Sequence, residues 1–123
     1  MTIAWNGPDQ RRFSRIDVLM RVTGRIDTLD TPIAVHNLSR NGFAVVSTLA
    51  FQPGESLDFR LFSEDGSQVS VTAEAVHTRP LGDAPGMHLS GFRFVPGRLT
   101  GVVPQVLIDR FIDTVCAVPV SYF

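Results

Sequence analysis

The stretch SLDFRLFSEDGSQVSVTAEA, residues 56–75, alternates twice, with a polar turn between the two runs. Leu57, Phe59 and Leu61 fall on one side against Asp58, Arg60 and Phe62. Beyond Glu64-Asp65-Gly66-Ser67, Val69, Val71, Ala73 and Ala75 oppose Gln68, Ser70, Thr72 and Glu74. Successive side chains of a strand leave opposite faces of the pleat, so a period of two predicts a half-buried strand. Two such runs joined by a short Gly-containing segment predict an antiparallel hairpin.

The same period extends outward in both directions. Upstream, Ile16, Val18, Met20 and Val22 alternate with Asp17, Leu19, Arg21 and Thr23, which predicts a first strand. Gly24 and the Asp27 to Pro32 cluster read as a turn, Ile33 to Leu38 as a second strand and Phe43 to Thr48 as a third. Asn41-Gly42 joins the last two, a tight-turn pair because both residue types tolerate positive φ. Downstream, Arg79 to Gly86 holds two Pro and two Gly and predicts a loop. Met87 to Val95 follows as a sixth strand, and its phase shifts near Ser90-Gly91, where a bulge is natural. Six short strands with no helix between them exclude a parallel βαβ sheet and favour an antiparallel barrel or sandwich.

After Pro96-Gly97 the period becomes helical. Val103, Leu107, Ile108, Phe111, Ile112 and Val115 cover one arc, Gln105, Asp109 and Asp113 lie opposite, and Pro104 suits a first turn. Pro119 is expected to stop this helix. The expected organisation is therefore a mobile polar arm over 1–14, a domain over 15–118 and a short apolar tail over 119–123.

At 123 residues with 44% hydrophobic content the chain has material for one core and no room for a second. A formal charge of −1 excludes a surface that is basic throughout, so any anion site must be local. All eleven basic residues are Arg, which stays charged, forks onto phosphates and guanine edges, and stacks on flat rings. The single cysteine, Cys116, excludes an intrachain disulfide and suits a reducing compartment, so a cytoplasmic protein is expected. No apolar run is long enough to span a bilayer, and the N-terminus shows no export signal.

Two patterns stand out. Arg11 and Arg15 form RxxxR just before the first strand, and Asn37, Ser39 and Gly42 form (D/N)xSxxG between the second and third. About one RxxxR pair is expected by chance in a chain this rich in Arg, and Arg21 with Arg25 supplies another. The second pattern has a chance expectation of only about 0.07 and carries the weight. Together, in this order, the two halves resemble the signature of the PilZ family. Pro53-Gly54-Glu55, Gly91-Phe92-Arg93-Phe94 and the terminal helix fit the same family, so the resemblance covers Arg11 to about Ala117.

That resemblance implies a six-stranded antiparallel β-barrel with one C-terminal amphipathic helix, acting as a receptor for the bacterial second messenger cyclic dimeric GMP. The ligand carries two phosphates and two guanines. Arg11 and Arg15, four apart, share a side in either a helical or an extended arm and can pair with phosphate, fork onto guanine O6 and N7, or stack. Asn37 and Ser39, two apart, are expected to share a face at an exposed strand end, where a carboxamide and a hydroxyl can read a guanine edge. Gly42 is expected to permit the turn that keeps this face open. Arg40 stands at a variable position of the motif and reads as an exposed turn charge that could assist with phosphate; Arg12 reads as its solvated counterpart on the arm. All these residues also have a local reading, as solvated charges and as turn formers.

Other chemistries find no support. His36, His77 and His88 lack ligand spacing and Cys116 falls on another element, so no metal site is expected. Asp109 and Asp113 read as a solvated helix stripe, Cys116 as a small core residue, and no nucleotide-binding glycine loop or catalytic constellation appears. The chain is thus expected not to be an enzyme and to use no cofactor. Phe59, Phe62, Phe92 and Phe94 are not interleaved with a basic groove, which argues against DNA or RNA binding. With no output domain in its 123 residues, the receptor would relay its signal to an unidentified effector protein, in motility, attachment or exopolysaccharide control. The competing reading is a ligand-independent adaptor that uses the barrel as a docking surface.

Overall fold

A computed structural model describes residues 16–18 and 21–117. Arg11, Arg12 and Arg15, with the expected arm and tail, lie outside the described residues. The strands are β1 (Ile16–Asp17), β2 (Val22–Ile26), β3 (Thr31–Leu38), β4 (Gly42–Ser47), β5 (Ser56–Ser63), β6 (Gln68–Pro80) and β7 (His88–Val95), followed by α1 (Gln105–Ala117). All pairings are antiparallel. β3, β2, β5, β6, β7 and β4 follow one another, and a further β3–β4 pairing closes the ring. The result is a six-stranded barrel, because β1 and β2 are two segments of one interrupted strand, both lying along β3.

The interruption departs from the expectation of one continuous first strand. The amides of Arg21 and Val22 both bond to the Val18 carbonyl, at 2.8 and 3.0 Å, so the chain turns there while Val18 and Val22 both stay buried. Pairing resumes with Thr23 opposite Ala34 and carries Gly24 inside β2. The turn is confined to 27–30, where Asp30 takes φ 51°, a left-handed value that its short side chain tolerates. β6 likewise runs on through Pro80, which pairs with His88 as the strand's last residue. Proline is acceptable at such a terminus, where one ladder donor is dispensable.

Two bulges keep the faces in phase. His36 is an extra residue in β3, since Val35 faces Val45 and Asn37 faces Ala44. Without it the three-residue step from Val35 to Leu38 could not keep both inside. Val76 is the extra residue in β6, between the Ala75–Phe92 and His77–Gly91 pairs. The bulge expected near Ser90-Gly91 is therefore in the partner strand, directly opposite.

The core holds the inward residues of β2 to β7 with Val18 and with Ile108, Phe111, Ile112 and Val115 of α1. Phe43 lies at its centre, with ring centroids 5.0 Å from Phe59 and 5.5 Å from both Phe92 and Phe94. Such pairs contribute about 0.5–1.5 kcal/mol each beyond area burial. Leu107 departs from the expected helical arc. It is 51% exposed, with Leu99, Val102 and Val106 exposed nearby, because the buried stripe is narrower and centred on Ile108 and Val115. Cys116 is also exposed rather than a core residue.

Gly42 shows a physical requirement different from the one expected. Its φ is not positive; instead, a methyl group at this position would lie 1.9 Å from the Phe92 carbonyl oxygen and 2.9 Å from the Arg93 Cα. Close approach of β4 to β7, and not turn conformation, demands glycine here. Gly42→Ala should accordingly cost about 1–3 kcal/mol in denaturant or thermal unfolding. Gly82→Ala, with open space around it, should stay within about 0.5 kcal/mol of the parent.

Candidate functional site

The (D/N)xSxxG residues form the hairpin loop between β3 and β4, closed by the Leu38–Phe43 pair. Ser39 is 2% exposed and lies just past the end of β3. Its backbone amide donates to the Gly42 carbonyl at 2.8 Å, and its Oγ accepts from the amides of Asn41 and Gly42 at 3.2 and 3.3 Å. The hydroxyl in turn donates toward the Gly42 carbonyl at 3.3 Å. Ser39 therefore holds the loop together from inside, and the expectation that it shares an exposed strand face with Asn37 is not met. Asn37 points outward, half-buried, with its Nδ2 3.3 Å from His36 Nδ1.

Arg40 has a specific partner. Its Nε and Nη2 fork onto the two carboxylate oxygens of Asp109 at 2.8 and 3.0 Å. Gln105 donates to Asp109 Oδ1 at 2.9 Å and to the Arg40 carbonyl at 3.4 Å. Asp109 is thus the helix's grip on the motif loop and not one member of a solvated stripe. These bonds, Arg40's first and Gln105's second, hold the Asp109 carboxyl below its ordinary range, and Asp109 raises the Arg40 guanidinium. Arg21 donates to the Val115 carbonyl near the helix's other end and pairs with Glu64 at 3.5 Å.

Cross-strand pairing shows what surrounds Asn37. Asn37 faces Ala44, Ala44 faces Gly91, and Gly91 faces His77, one row across β3, β4, β7 and β6. The neighbouring row holds Gly42, Arg93 and Glu74, the last two joined by a 2.6 Å ion pair. Because Phe43, Val45 and Phe92 point inward, these rows face outward. Sequence alone does not place Ala44, His77 and Arg93 around the motif hairpin; the outward register of three strands does, and it is readable only once their pairing is known. Arg11 and Arg15 lie outside the described residues, but Ile16, one residue after Arg15, pairs with Leu38, and Asp17 with Asn37. The chain thus enters the barrel alongside the motif hairpin.

Among the described residues, no group of three or more His, Cys, Asp or Glu gathers closely enough to hold a metal ion. Nor is any described helix long and apolar enough to cross a membrane.

The Arg40–Asp109 pair can be measured. A double-mutant cycle with Arg40→Ala and Asp109→Asn should give a small favourable coupling, as solvent screens both partners. A lowered carboxyl pKa contributes stability above the unfolded value, about 3.9 for Asp, and loses it as pH falls through the lower folded value. The coupling should therefore be full at neutral pH and decline below about pH 4.

The chain is similar to the Bacillus subtilis inhibitor of motility MotI/DgrA, with TM-score 0.64 and 21% identity over 85% of this chain and 50% of that one. It is similar to Escherichia coli YcgR in complex with c-di-GMP, with TM-score 0.60 and 14% identity over 85% of this chain and 45% of that one. The PilZ domain of YcgR with c-di-GMP gives TM-score 0.59 and 15% identity, covering 86% of this chain and 91% of that one. The chain thus spans about half the length of MotI and of the longer YcgR chain. No curated protein sequence matches it significantly. The PilZ domain profile matches residues 9–112, a span that contains the barrel, both motif halves and most of the helix, and the chain belongs to the PilZ domain family.

Proposed function

We propose that this chain is a cytoplasmic receptor for cyclic dimeric GMP, without catalytic activity or resident cofactor, that relays ligand binding to an effector protein. The observation that carries the reading is the β1 register: Ile16 opposite Leu38 brings the end of the RxxxR segment to within one residue of the hairpin bearing the second motif. That register supports a reading in which the two signature halves, more than twenty residues apart in sequence, act on one ligand. The similar YcgR structures with c-di-GMP support the ligand, and the similar motility inhibitor supports motility as the regulated process.

In this reading Arg11 and Arg15 clasp the ligand by phosphate pairing and guanine stacking, and Asn37 reads a guanine edge. Ser39 keeps the loop amides in place, and Gly42 lets β4 lie close against β7. For Arg40 to meet a phosphate it must first leave Asp109, which makes the helix sensitive to what the hairpin binds. Neither the net charge of −1 nor the small-residue outer face suits DNA or RNA.

Isothermal titration with cyclic dimeric GMP tests the reading directly. Saturable heat with defined stoichiometry is expected, whereas its absence would favour the ligand-independent adaptor. Arg15→Ala should lower affinity more than tenfold, in keeping with the loss of a charge-assisted bond worth about 1.5–3 kcal/mol. Arg25→Ala is the control, as Arg25 forms an exposed pair with Asp30, whereas Arg21 anchors the helix.

Ser39→Ala should lower stability by about 1–3 kcal/mol, because two loop amides lose their acceptor, and should weaken binding with it.

Residues 8–15 have no apolar periodicity with which to pack on the barrel. Their amide hydrogen exchange should slow on ligand addition, creating a surface an effector can recognise. Equal protection with and without ligand would show that the arm is preformed and takes no part in switching.

A further inference from the structure

Across the closed ring from the motif hairpin, the loop between β7 and α1 lies over the outer face of β5 and β6. It is held there firmly. Arg98 donates to the Ser56 carbonyl at 2.9 Å, the Gly97 amide to the Val102 carbonyl at 3.0 Å, and the Gly101 amide to the Gly97 carbonyl at 2.7 Å, with Gly101 at φ 69°. A loop closed on itself in this way nevertheless holds Leu99 wholly in solvent and Val102 more than half exposed, with Leu107 of α1 beside them. These side chains form the apolar rim of a groove of about 430 Å³ between loop, helix and barrel, and Asp27, Asp58 and Thr72 form its polar side. Apolar side chains gathered round a concavity, with polar groups at its margin, mark a contact surface and not scattered exposure. An apolar cavity of about 150 Å³ accommodates one benzene ring, so this groove has room for two aromatic side chains.

The chain carries a segment of matching chemistry within reach. α1 ends at Ala117, and residues 118–123, outside the described residues, read Val-Pro-Val-Ser-Tyr-Phe, with no charged side chain and two aromatic ones. Pro119 cannot continue the helix. Leu107 lies ten residues before Ala117, about 15 Å back along the helix axis, and six extended residues span about 20 Å. A tail that turns at Pro119 therefore brings Tyr122 and Phe123 level with Leu107 and the groove. One flank of the helix is already taken, since Gln105 and Asp109 hold it to the motif hairpin. The other flank is the groove side, where Leu107 is followed seven residues on by Thr114. The N-terminal arm suits the groove less well, because Ile16 and Asp17 enter along β3, away from β5 and β6.

We propose that residues 118–123 turn back along α1 and seat Tyr122 and Phe123 in this groove. The two rings cover Leu99, Val102 and Leu107, and the tyrosine hydroxyl, which needs a partner once covered, meets acceptors at Asp27 and Asp58. The helix is then fastened on both flanks, by the motif hairpin on one and by its own tail on the other. This inference does not rest on the receptor reading.

The test is a mutant cycle on the full chain, read by thermal melting and amide hydrogen exchange. Tyr122→Ala with Phe123→Ala removes the occupant, and Leu107→Ala, at a half-exposed site, trims the groove. Each should lower the melting temperature by about 3–6 °C and speed exchange over residues 97–102. Combined, they should lower it little further than the larger of the two, because both remove one contact. Val106→Ala, exposed on the helix but not lining the groove, should leave melting and exchange at the parent values. If the tail variant melts and exchanges like the parent, or if the tail and groove losses simply add, the inference is overturned. If the tail's effect fades on dilution, the tail sits in the groove of a second copy and docking within one chain is overturned.

Discussion

Everything on the outer face of this barrel depends on Phe43 being inside it. The ring sits fully buried among Phe59, Phe92 and Phe94, and burying a side chain of this size contributes about 1.5–3 kcal/mol. Alternation then leaves its neighbours no choice: Gly42 and Ala44 must face outward, and the hairpin ahead of Gly42 must close at Leu38. The aromatic core thus sets the level of the motif loop, the direction of Asn37 and the bareness of the sheet beside it. This accounts for a core aromatic directly after the motif glycine, two positions that serve different ends but are joined by one pleat.

The helix is tied to that loop as well as to the core. Ile108, Phe111, Ile112 and Val115 anchor it by burial, while Arg40, Asp109 and Gln105 fasten its first half to the hairpin and Arg21 reaches the Val115 carbonyl toward its end. The polar fastenings are exposed or half-buried, and the apolar ones are buried. A disturbance at the loop is therefore able to loosen the helix's outer attachments without dislodging it from the barrel.

Strand identity was legible in the sequence because a period of two is a local signal, and each of Leu57–Phe59–Leu61 and Val69–Val71–Ala73 announces its own face. What could not be read locally was whatever depends on two segments meeting. Gly42 reads as a turn glycine until Phe92 is known to lie against it. Arg40 and Asp109 are 69 residues apart, so their fork is invisible to any spacing rule. Ser39 reads as an exposed reader because hydroxyls at strand ends usually are, whereas here the loop turns it inward. The bulges were half legible: the step from Val35 to Leu38 demands an extra residue, but the phase shift near Gly91 is caused by Val76 in the partner strand. Arg11 and Arg15 lie outside the described residues, so for that half of the site sequence remains the source.

The two bulges carry a consequence for how this domain can change over generations. Elsewhere in a barrel strand, gaining or losing one residue turns every later side chain to the wrong face and ruins the core. At His36 and Val76 the extra residue can be dropped while Val35, Leu38, Ala75 and the inner ring keep their sides. Both positions flank the bare row, one beside Asn37 and one beside His77. Chain-length variation is thus cheapest at the two margins of the outer face, and descendants of this sequence can widen, narrow or re-equip that face while inheriting the hydrophobic interior intact.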